Sequence, residues 1–69
     1  MKIRYDPVVD ALYIELADAT IQESDEITPG FIVDFDAEGK PVAIELLDAS
    51  EFLGGRSLTI ECGRTVRLS

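Results

Sequence analysis

Four carboxylates stand at a spacing that suits a hard cation. Asp34-x-Asp36-x-Glu38-Gly39 is followed by five residues and then Glu45. That is the spacing of an EF-hand calcium loop, in which carboxylate oxygens converge on a sharply turned backbone. Asp34, Asp36, Glu38 and Glu45 are therefore the candidate metal ligands. Three features of the same stretch oppose that chemistry. Glu38 stands where a shorter Asp or Asn is usual, Pro41 follows the turn, and both flanks read as strands rather than helices. A charged turn and a solvated acidic face account for the same residues. Asp6 and Asp10, on either side of Pro7, form a second acid pair. Paired carboxylates serve as general acid and base only where their surroundings push their pKa values apart. Turn and capping roles account for both.

Other chemistries fail on what the chain lacks. It has no histidine, so neither Cys62 nor any serine has an imidazole to activate it within one subunit. Zinc needs a Cys or His cluster, and the one cysteine cannot supply it. A strand-facing, buried thiol is the reading for Cys62. Gly54-Gly55 lacks the pattern and the lysine of a phosphate loop. No catalytic residue is assigned, no cofactor is expected, and the chain reads as no enzyme.

The elements that must position these groups are strands. Phe31, Val33 and Phe35 alternate with Ile32, Asp34 and Asp36, and Val42, Ile44 and Leu46 alternate with Ala43, Glu45 and Leu47. Period-2 patterning of this kind marks strands, and Ala37-Glu38-Gly39-Lys40 between them is a turn. The resulting hairpin pairs Phe35 with Val42, Val33 with Ile44 and Phe31 with Leu46, all on one face. Upstream, Lys2 to Tyr5 and Ala11 to Leu16 alternate about a loop from Pro7 to Asp10. That hairpin pairs Tyr5 with Leu12 and Ile3 with Ile14, and it places Tyr5 and Tyr13 in neighbouring strands as a small aromatic cluster. Residues 20–27 are polar and read as an irregular or edge strand, which charges protect from further pairing. Thr28-Pro29-Gly30 is a turn. Residues 48–53 suit a short helix capped by Asp48 or Ser50. Residues 57–62 and 65–68 read as further short strands.

The expected fold is α+β, mainly β: an antiparallel sheet of hairpins, a β-meander of four to six strands, with one short helix near residues 48–53. Sixty-nine residues make one domain, 1–69. So short a chain buries only about 60% of its unfolded surface. One sheet face is apolar and the short helix is too small to cover it. A homodimer, or a higher homo-oligomer, with sheets packed face to face is the expected remedy.

The net charge of −8 comes from fourteen acidic against six basic residues. That argues against nucleic acid as a partner, because phosphate binding needs clustered Lys and Arg. It argues equally against an anionic membrane surface, and it favours a cation or a basic protein partner. Arg56, Arg64 and Arg67 give the tail a basic tilt. The amino terminus has no apolar signal-peptide core, and no stretch approaches a membrane span. The cytoplasm is the expected compartment.

Two blocks carry a family likeness: Tyr5-Asp-Pro-x-x-Asp-Ala-Leu-Tyr-Ile-x-Leu16, and Val33-Asp-Phe-Asp-x-x-Gly-x-x-Val-x-Ile-Glu-Leu-Leu-Asp-Ala-Ser50. Over about residues 2–53 the chain resembles the DUF2283 family of small prokaryotic proteins. The resemblance implies a small, β-rich intracellular protein and no reaction. It brings no catalytic residues with it and does not reach the tail beyond Gly54. The expected function is a non-enzymatic, self-associating protein-interaction module. An antitoxin-like partner of a small basic toxin protein, or a cation- or ligand-binding protein using the Asp34–Glu45 loop, are the alternatives.

Overall fold

The computed structural model describes residues 1–54. Cys62, the three tail arginines and the strands expected at 57–62 and 65–68 lie outside the described residues. Five strands form one antiparallel sheet: β1 (Lys2–Asp6), β2 (Ala11–Glu15), β3 (Glu23–Thr28), β4 (Phe31–Phe35) and β5 (Pro41–Leu46), followed by the helix α1 (Ala49–Phe52). The mainly β fold with one short helix is the expected class.

Both hairpins form where the alternation places them. Ile3 pairs with Ile14 and Tyr5 with Leu12. Val33 pairs with Ile44 and Phe31 with Leu46. The expected Phe35–Val42 pair does not form, because a bulge puts Phe35 opposite Pro41 and Asp34 opposite Ala43. Val42 is the extra residue of that bulge. Its carbonyl accepts the amides of Leu16 and Ala17, at 2.8 and 3.2 Å, from the chain leaving β2. Pro41 has no N–H to lose, so it tolerates the break in the ladder. Gly39, at φ +81°, makes the turn possible.

The strand order is β1-β2-β5-β4-β3, so the sheet is not a simple meander. An N-terminal hairpin and a three-stranded meander of β3, β4 and β5 join through the antiparallel β2–β5 pair. The seven residues 16–22 carry the chain past the ends of β5 and β4 to the far edge, where the Gln22 amide donates to the Phe35 carbonyl at 2.7 Å. The physical sense is that β5, the strand with the most buried residues, takes the centre. The strand least able to contribute to a core, β3, takes the edge and is exposed along its whole length.

The core is thin. Leu12, Leu46 and Ala49 are buried together, with Ile3, Ile14, Phe31 and Ile44 packed against them only partly buried. Full burial of a leucine side chain contributes roughly 1.5–3 kcal/mol, so this cluster supplies a modest total. Phe52 reaches Phe31 edge-on, with ring centroids 6.2 Å apart. Gly30, at φ +81°, lets the helix approach: a Cβ there would lie 3.1 Å from the Leu47 carbonyl and from the Phe52 ring.

The cap of α1 differs from the expectation. Asp48 makes no capping bond through its side chain. Asp10, in the first hairpin loop, does the work instead. Its carboxylate accepts from the Ser50 amide at 3.2 Å and from the Ser50 hydroxyl at 2.6 Å, and its carbonyl accepts from the Ala49 amide at 2.9 Å. Asp10 sits at φ +54°, a left-handed conformation that Asp adopts more readily than most residues. Tyr5 donates to the same carboxylate at 2.6 Å. Tyr5 and Tyr13 therefore do not cluster: adjacent registers put them on opposite faces of the sheet.

Candidate functional site

Registers across the sheet lay out the polar face row by row. One row runs Arg4, Tyr13, Glu45, Ile32 and Glu26 from β1 to β3. The next runs Lys2, Glu15, Ala43, Asp34 and Ser24. Glu45 on β5 and Asp34 on β4 are thus diagonal neighbours on one face, within side-chain reach. The cations lie at the β1 edge and the acids lie inside.

Asp34 is fully buried, at 0% exposure, so the expected solvated acidic face is not what forms there. It lies on an interior strand, its short side chain hemmed between β3 and β5, and its cross-strand partner Ala43 is also buried. The Ser24 hydroxyl donates to its Oδ1 at 2.6 Å. Among the described residues its buried Oδ2 has no donor unless the Glu45 carboxyl carries a proton. A buried acceptor left unpaired costs about 1–3 kcal/mol, and more when charged. Glu45 is half-buried beside it. A hydrogen bond with the Asp34 carboxyl, then burial, then the Asp34 charge hold the Glu45 carboxyl above the usual carboxylate range.

Tyr13 borders the pair. Burial first, then the charges of Asp34, Glu15 and Glu45 push its phenol above the usual tyrosine value, against the opposing pull of Arg4. The Arg4 guanidinium lies 4.8 Å from the centre of the Tyr13 ring, a cation–π distance. The phenol therefore stays a neutral hydroxyl at ordinary pH.

The structure separates the four candidate ligands. Asp34 and Glu45 come together. Asp36 instead closes the turn, its Oδ1 accepting from the amides of Glu38 and Lys40, both at 2.9 Å. Glu38 is exposed in that turn. Among the described residues no group of three or more Asp, Glu, Cys or His side chains is placed to hold a metal ion. Asp6 accepts from the Val8 amide at 3.0 Å and Asp10 caps α1, so that acid pair is divided between a turn and a helix start.

Sequence reading missed two participants. Ser24 carried no signal, because its role depends on β3 pairing with β4. Asp10 carried a weak one: an Asp closing a loop is a common turn residue, but nothing local announces a helix forty positions on.

Among the described residues no helix is long and apolar enough to cross a membrane. No curated protein and no solved structure matches the chain. A family model described as a protein of unknown function, DUF2283, matches residues 2–50, and those residues comprise all five strands and the start of the helix. With most of its length under that match, the chain belongs to the DUF2283 family.

Proposed function

We propose that this protein is a non-enzymatic, cytoplasmic interaction module that self-associates through the apolar face of its sheet. One observation carries the reading. Ile3, Ile14, Phe31, Val33, Phe35 and Ile44 alternate inward yet stay only half-buried, beneath a helix of four residues. A sheet with one apolar face is stable when a second layer covers it. A second copy of this chain offers a matching layer about 10 Å away.

Light scattering on the full chain tests this. The expected mass is twice that of the chain, unchanged by millimolar calcium. Val33→Asp should yield a monomer, with far-UV circular dichroism reporting whether the sheet survives. A wild-type monomer at micromolar concentration overturns the self-association reading. A calcium-induced rise in melting temperature that Asp36→Ala abolishes would favour cation binding instead.

A basic protein partner, of which a toxin-like protein is one version, is the second reading. The edge strand β3 favours it: Glu23, Asp25 and Glu26 are exposed there, beside a backbone row that is unpaired among the described residues, and the chain carries a net charge of −8.

A further inference from the structure

The Asp34–Glu45 pair has an electrostatic problem that the interaction reading does not use. Asp34 is sealed inside the sheet, and its one donor, Ser24, serves only Oδ1. The charged groups on that face do not supply the second donor. Glu45, Glu15 and Glu26 on the same face are acids. Arg4 lies over the Tyr13 ring, and Lys2 is in the edge strand. Among the described residues Asp34 Oδ2 has no partner. Among the described residues two donors remain on that face, the Tyr13 hydroxyl and an acid proton on Glu45; Glu45 is on the strand next to Asp34, and Tyr13 is one strand further away.

We infer that Asp34 and Glu45 form a proton-operated clasp: one proton shared between the two carboxyls completes the bonding of Asp34, and through Ser24 it ties the edge strand β3 to the sheet. When the proton leaves, two carboxylates face each other with no cation between them among the described residues. Glu45 is the half-buried member and can turn toward water. Asp34 then gains a route to solvent, and the Ser24 contact loses its fixed acceptor. β3 is the element that yields, because among the described residues it is an exposed edge paired on one side only. The direction of the linkage follows. Glu45 binds its proton more tightly in the folded chain than in the unfolded one. The stabilisation is therefore complete below the ordinary glutamate pKa and is lost as pH rises through the raised folded value.

The test uses the full chain, isotopically labelled. Carboxyl-carbon NMR titration should show Glu45 losing its proton above the usual glutamate range, and Asp34→Asn should return it toward that range. Amide-exchange protection, corrected for intrinsic exchange, should fall in β3 and at Gln22 as Glu45 titrates, by roughly tenfold per pH unit of linkage. β1 should not follow. The isosteric Glu45→Gln, whose amide donates at every pH, should keep β3 protected throughout. Ser24→Ala should lower β3 protection even in acid while leaving the Glu45 titration in place. A Glu45 that titrates in the ordinary range overturns the clasp. So does β3 protection that follows pH equally in wild type and Glu45→Gln, or that ignores the loss of Ser24.

Discussion

Asp10 and Asp34 are both drawn into the fold, and their surroundings could hardly differ more. At the loop–helix junction, Asp10 receives the Tyr5 hydroxyl, the Ser50 amide and the Ser50 hydroxyl. In the middle of the polar face, Asp34 receives the Ser24 hydroxyl and has an acid for a neighbour. One carboxylate has donors for both oxygens, and the other lacks one. The comparison teaches that burial alone does not tell what an acid does in a fold. The count of donors around it decides whether its hydrogen bonding is complete or depends on a neighbour.

The sharpest way to break the first half of the comparison is Asp10→Ala. It strips three donors of their acceptor, uncaps α1 and leaves alanine in a left-handed conformation. The expected loss is roughly 2–3 kcal/mol. At about 4–8 °C per kcal/mol for a domain of this size, thermal denaturation should show it clearly. Asp10→Asn keeps one acceptor oxygen and tolerates the backbone angle, so it should lose about half as much.

Glu45→Gln sharpens the other half, with the opposite sign. Above the Glu45 titration it should stabilise the protein by about 1 kcal/mol, because the amide gives Asp34 the donor it lacks. Near the ordinary glutamate pKa the variant and the wild type should converge, since the native carboxyl is then protonated. Urea denaturation at several pH values measures the difference directly, and equal stability at all of them would count against the donor argument.

The smallest effect is expected at the turn. Asp36→Ala removes an acceptor from two backbone amides, Glu38 and Lys40, but water can replace it there. A loss of about 0.5–1 kcal/mol is expected, read from the same denaturation curves.

Much of this was legible from local pattern. The pairs Ile3–Ile14, Tyr5–Leu12, Val33–Ile44 and Phe31–Leu46 follow from alternation about two short loops, because a one-residue slip would turn every apolar side chain to the wrong face. The acidic edge strand was legible too, through its charges and its lack of large apolar residues. Alternation placed Asp34, Asp36 and Glu45 on one face; Asp34 and Glu45 are there, but Asp36 closes the turn instead. The burial of Asp34 and Glu45 was not legible, since it depends on β3 and β5 flanking β4.

What the amino-acid sequence determined by itself was thus two hairpins, their registers up to the bulge at Val42, and the division of the sheet into an apolar and a polar face. These are contacts between neighbours in the chain, governed by a period of two and by turn residues. The tertiary structure alone decided that β5 inserts between β2 and β4, that Val42 bulges to receive the chain leaving β2, and that Asp10 caps a helix forty residues away. It also decided that Asp34 is sealed beside Glu45 with one donor too few. Those outcomes depend on which distant strands meet. Backbone pairing is chemically the same between any two strands, so the choice rests on the burial that the whole sheet achieves together.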